Sequence, residues 1–277
     1  MSIALAPGLK LRRADYHLRE FRKGFDEWLA LKPYYVEAHQ QPESDEVVLI
    51  GRVRNTPPAI EWGVMIGDVI HNLRSALDSL VWTFSVWKSG PAPSDPLPRN
   101  DPWRKIKFPI VQESGQWQSA VKGCLWAVDP SLLAEFKGSQ PFVTGKHAPE
   151  REPLTVLHEL WNIDKHRHPN LTSAFVEIKS IAGYTPEDAA FSVVSLKPPG
   201  PFEDGAELAR IVWAGLGTPA EKVNMQAYAV FDVSFDQGPP AYGEPLFPML
   251  ERLCEEVAQI MARFLGELSQ IPPNFNG

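Results

Sequence analysis

Between Trp62 and Trp87 the chain carries no lysine and no glutamate, and only Asp68, Arg74 and Asp78 are charged. The two missing residue types are the helix formers that water tolerates best on an exposed face. The spacing is nevertheless helical. At about 100° per residue, Ile66, Val69, Ile70, Leu73, Ala76, Leu77, Leu80, Val81 and Phe84 fall on one broad apolar face. The opposite arc holds Gly67, His71, Arg74, Ser75 and Asp78, with Asp68 and Asn72 at its edges. A helix over 59–87 that is covered on both sides must pair its charges, because an unpaired buried charge costs several kcal/mol. Arg74 and Asp78 stand one turn apart and can pair with each other.

A second run, Leu157 to His168, holds three of the seven histidines and ends another helix, predicted over 153–166. Its projection places Val156, Leu157, Leu160, Trp161 and Ile163 on an apolar face and His158, Asn162 and His166 in a row. Asp164 falls among the leucines, where a carboxylate needs a cation, and Arg74 or His71 is the expected partner. His71, Arg74, Asp78, Asp164 and His166 are therefore the candidate site.

Two further helices complete the helical part. Leu11, Leu18, Phe21, Phe25, Trp28 and Leu29 recur at three- and four-residue spacing and predict a helix over 9–36, with His17 on its core side. Leu246, Leu250, Leu253, Val257, Ile260, Met261, Phe264 and Leu268 predict another over 245–269. Thr56-Pro57-Pro58 marks the start of the central helix, with Thr56 as cap and the prolines in the first turn. The proline-rich stretch 90–102 reads as an exposed connection, Phe108-Pro109-Ile110 returns the chain to the core, and short helical pieces follow near 114–122 and 130–137.

Beyond Pro169 the period changes to two. Strands are predicted over 173–179, 190–196, 207–213 and 223–235, besides an earlier one over 46–54. The expected fold is α+β, a single domain spanning 1–277. A four-helix bundle (9–168 and 245–270) would carry an inserted, mainly antiparallel sheet (170–236).

At 277 residues and 44% hydrophobic content, the chain is long enough for a sizeable core. Its net charge of −7 argues against coating duplex nucleic acid or an anionic membrane by bulk electrostatics. Cys124 and Cys254 have no CxxC or metal-ligand spacing, which fits a reducing cytoplasm. No signal-like start and no spanning run of apolar residues occurs, so a cytoplasmic location away from membranes is expected. GxGxxG, GxxxxGK[ST], HExxH and GxSxG are all missing, which argues against nucleotide-dependent enzymes of the common folds. No cofactor is expected.

The blocks Gly67-Asp68-x-x-His71-Asn72-Leu73-Arg74-Ser75-Ala76-Leu77-Asp78, Phe108-Pro109-Ile110, Leu157-His158-Glu159-Leu160 and Ile163-Asp164-Lys165-His166-Arg167, in this order, resemble a family of bacterial proteins with no assigned activity. Arg12 precedes His17, and Arg151 precedes His158, at a spacing similar to that of the HEPN superfamily. Those helical bundles include metal-independent RNases and nucleotide-binding modules. The candidate cluster does not follow that spacing, so the likeness is one of architecture and carries over no catalytic residue.

Three functions fit these residues. The first is a binding or interaction module in which the His/Arg/Asp network is structural. In the second, His166 or His71 is a general acid/base and Arg74 and Lys165 hold phosphate, permitting metal-independent RNA cleavage through the ribose 2′-OH. In the third, His71, His158, His166 and Asp68 or Asp164 bind a metal between helices. The expected partners are RNA or a protein, with a homodimer by analogy.

Overall fold

The computed structural model describes residues 5–41, 44–90, 97–166, 171–184, 190–214, 224–235, 241 and 243–271. These form eight α-helices and two antiparallel sheets, an α+β fold. The chain divides into two compact units. A helical unit comprises 1–21, 63–169 and 248–277, and a sheet unit comprises 22–62 and 170–247. Among the described residues no helix is long and apolar enough to cross a membrane.

Helix α1 spans Ala6–Leu29 and ends well before the predicted boundary at 36. Pro33 lacks an amide hydrogen and its ring disfavours the helical conformation at Lys32, which turns to φ 52°. The aromatic and β-branched residues that follow then form strand β1, Tyr34–Gln40, which pairs with β2, Glu46–Val53. Helix α2 covers Ala59–Ser89. It starts where Trp62 N–H donates to Pro58 O at 3.1 Å, so the prolines precede the helix and Pro58 stands where Thr56 was predicted to cap.

The short helices α3 (Trp117–Cys124), α4 (Leu133–Gly138) and α5 (Pro141–Thr144) lead to α6, Pro153–His166, which matches its predicted span. Strands β3 (Leu171–Tyr184), β4 (Ala190–Leu196), β5 (Gly200–Phe202), β6 (Glu207–Ala214) and β7 (Asn224–Phe235) follow. The single inserted sheet of the sequence reading is in fact two. One has the order β1-β2-β6-β4 and so recruits two strands from the N-terminal part, and the other has the order β5-β3-β7. The C-terminal helix is also divided, into α7 (Leu246–Arg263) and α8 (Leu265–Gln270). Phe264, fully buried 4.6 Å from Phe136, leaves the helical region at φ −102°, ψ 5°.

The helical unit is built around α2, whose Ile66, Val69, Ile70, Leu73, Leu77, Leu80 and Val81 are all fully buried. Phe84 and Phe264 lie 5.6 Å apart, and Phe108 and Phe136 5.8 Å apart, closing the aromatic part of that core. In the sheet unit Val47, Leu49, Ala209 and Ile211 form the aliphatic centre. Beside it runs a ring series in which Phe25–Phe247, Trp28–Trp62 and Trp28–Tyr34 are 4.7, 5.1 and 5.4 Å apart.

Candidate functional site

The α2 arc that lacks Lys and Glu divides in two. Arg74 is 2% exposed, while Asp68 and His71 face solvent and Asn72, Ser75 and Asp78 are half-buried. The expectation that the whole arc is covered therefore fails at His71. Residue 71 stands about 60° around the helix from Arg74, and that rotation separates water from core. Among the described residues the histidine rings that hydrogen-bond are those of His39 and His158, and the His71 ring does not. Asp68 instead approaches His17 of α1, Nδ1 to Oδ2, at 4.0 Å.

Arg74 and Asp78 form the expected pair, Nη2 to Oδ1 at 2.9 Å. They also hold a third group. Arg74 Nη2 donates to Phe108 O at 2.6 Å, and Phe108 N–H donates to Asp78 Oδ1 at 2.9 Å. One helical turn thus clasps both backbone groups of a single residue in the Phe108-Pro109-Ile110 segment. The far end of that segment is held by Gln140, fully buried, whose Oε1 accepts from Val111 N–H at 3.0 Å while its Nε2 donates to Phe136 O at 2.9 Å. Burial pushes the Arg74 pKa down and the Asp78 pKa up, and each charge opposes the other's shift.

Asp164 does not complete this pair. Arg74 takes Asp78 as its carboxylate, and the half-buried Asp164 packs against Gly67, where a Cβ would meet the Asp164 carboxylate. Glycine provides the niche at that turn of α2. The side chain of His166 lies outside the described residues.

Residues outside the predicted five complete the surroundings of Arg74. On α6, Asn162 Nδ2 and His158 Nε2 are 3.3 Å apart, an i, i+4 pair as the projection placed it. With Asn162 donating to Nε2, the imidazole proton sits on Nδ1, which is buried and, among the described residues, has no hydrogen-bond partner. Burial first, then Arg74, Lys107 and Lys165, push the His158 pKa down to about 4. Trp161 meets two cations: Arg74 Cζ is 5.3 Å from its ring centroid and Lys165 Nζ is 3.0 Å from it. Lys107 and Lys165 are exposed, and the Lys165 pKa is lowered by burial of its surroundings, Lys107 and Arg74.

Lys107 escaped the sequence reading. Its signal was the alternation Ile106 in, Lys107 out, Phe108 in, which places a cation beside the residue that Arg74 holds.

The chemistry available here is recognition by charge and aromatic surface. A neutral imidazole with one nitrogen engaged, the other buried and a pKa near 4 is poorly placed to exchange protons at neutral pH. Among the described residues no three His, Cys, Asp or Glu side chains converge as a metal site would require, and both cysteines are free. Compared with known proteins, the chain is matched by no family model and, at a significant level, by no curated protein or solved structure.

Proposed function

We propose that the chain is a binding or interaction module, built on a bundle of α1, α2, α6 and α7, whose His/Arg/Asp network is scaffold. The observation that carries this reading is the clasp on Phe108. Arg74 Nη2 and Asp78 Oδ1 are spent on each other and on the main chain of Phe108, which is the work of a scaffold. The two Arg74 nitrogens outside this clasp, Nε and Nη1, are buried with the rest of a side chain that is 2% exposed, out of reach of a reacting group that must contact them. The likeness to HEPN-type bundles enters this reading as architecture alone.

The test is an RNA cleavage assay on the wild type and on His71→Ala, with thermal melts of both and of Arg74→Ala. The expected outcome is that neither of the first two cleaves RNA, that His71→Ala melts with the wild type, and that Arg74→Ala melts far lower. Wild-type cleavage that disappears in His71→Ala with no change in melting would overturn the reading and restore the RNase alternative.

A further inference from the structure

We propose that Lys107 and Lys165, together with Trp161 and the buried Arg74, form a recognition site for the phosphate group of a small phosphorylated ligand. The inference deepens the binding-module reading and rests on it.

Three cations, Arg74, Lys107 and Lys165, act on this part of the helical unit, and all three bear on both His158 and Asp78. Asp78, the carboxylate on which all three act, is already engaged by Arg74 and by the Phe108 amide. Among the described residues neither lysine has an ion-pair partner. With Arg74 taken by Asp78, the two lysines are the cations left unpaired, in a chain whose net charge is −7. The two lysines oppose each other's charge, and Lys165 rests its ammonium on the Trp161 ring. An anion bridging them would convert that repulsion into two attractions.

A second observation points the same way from beneath the surface. Arg74 is 2% exposed, yet among the described residues its Nε and Nη1 have no hydrogen-bond partner. Its guanidinium lies over the same Trp161 ring that carries Lys165. A buried guanidinium edge left unpaired is costly. It gives a net field to the surface beside it, so Arg74 acts on the ligand through that field while the lysines make the contacts. A phosphate dianion matches the two unpaired ammonium groups in charge, and its several oxygens suit their flexible stems. The three cations act together on His158 and on Asp78, and this convergence on one point suits a small ligand better than an extended polyanion.

The experiment is calorimetric titration of the full chain with inorganic pyrophosphate, with sodium chloride and sodium sulfate at matched ionic strength, and with a single-stranded RNA oligonucleotide. Pyrophosphate should bind one per chain. Lys107→Gln and Lys165→Gln should each weaken it about tenfold, as loss of a charge-assisted contact implies. Lys165→Arg should keep most of the affinity, and Lys88→Gln, whose lysine pairs with Asp129, should bind as wild type. Both site lysines are exposed, so melts of the Gln variants should match the wild type and separate lost binding from lost fold. Pyrophosphate binding no tighter than sulfate or chloride, or unchanged in both Gln variants, would overturn the site. RNA affinity that exceeds pyrophosphate's and grows with oligonucleotide length would overturn the small-ligand assignment. Cleavage of the RNA would sink the binding-module reading and leave the phosphate site standing. Absence of both cleavage and pyrophosphate binding would sink this inference alone.

Discussion

The two units bury different chemistry. Of the buried polar or charged side chains among the described residues, Arg74, Thr83, Ser85, Ser139, Gln140 and Thr155 belong to the helical unit and only Ser234 to the sheet unit. The sheet unit keeps its charges at the rim, where Arg210 meets Glu46 and Glu207 at 2.7 Å each and Arg52 meets Glu37 at 2.7 Å. The difference follows from what each backbone can offer. A strand pairs sideways with its neighbours, so the sheet unit satisfies its main chain by ladders. A helix turns its own amides and carbonyls along its axis, so irregular chain packed against it must be met by side chains. Segment 106–111 is such chain, and Arg74, Asp78 and Gln140 meet it.

The largest effect expected from this contrast is Arg74→Ala. It leaves Asp78 without its cation and Phe108 O without a donor, and should cost about 3–5 kcal/mol in urea unfolding. A loss under about 1 kcal/mol would mean that the clasp is dispensable and the contrast empty.

Next comes the niche at Gly67. Gly67→Ala gains about 1 kcal/mol of helix propensity but forces the Asp164 carboxylate aside, and should be net destabilising by about 1 kcal/mol. In an Asp164→Ala background the same change should turn stabilising, and a double-mutant cycle with no coupling would remove Asp164 from that niche.

A pH effect of similar size is expected from His158. Its folded pKa, about 4, lies below the ordinary 6.5, so between those values the unfolded chain binds a proton that the folded chain refuses. The contribution is complete above pH 6.5 and is lost as pH falls towards 4. The shift corresponds to about 3 kcal/mol at most, and screening at a half-buried ring reduces it to about 1 kcal/mol. Unfolding free energies at pH 7 and pH 5 should show a smaller drop in His158→Gln than in the wild type. An equal drop in both would assign the loss to carboxylates.

The smallest effects belong to the sheet rim. Glu37 is held down to about 2 by hydrogen bonds from His39 and Arg52, so its contribution is present above the ordinary carboxylate range and lost as pH falls towards 2. At this partly exposed rim water and salt reach the pair, so Glu37→Gln should melt close to the wild type in 1 M sodium chloride. A melting difference that persists in salt would place buried charge in the sheet unit too.

How much of this was legible varied with the kind of partner involved. Helix α6 could be bounded to the residue, because apolar spacing and the start at Pro153 agree. Arg74–Asp78 was legible because both partners are side chains one turn apart. Phe108 was not, since main-chain donors and acceptors are the same at every position and leave no mark in a sequence. Strand β1 was hidden because Trp28, Leu29 and Val36 extend the helical spacing of α1 across Pro33. Asp164 could be placed at the core side, but its neighbour is a glycine, which offers space and no chemistry to read.

Seen from Phe108, residues 74 and 78 together behave as the edge of a β-strand. They present one donor and one acceptor to one residue, as a neighbouring strand would. Because the acceptor Asp78 takes the Phe108 N–H and the donor Arg74, one turn earlier, takes its C=O, the docked chain runs opposite to α2. The order of the two residues in the helix therefore encodes direction. Asp followed four residues later by Arg would present the same groups to a chain running the other way, so a pair of side chains specifies not only where a loop lands on a helix but which way it points.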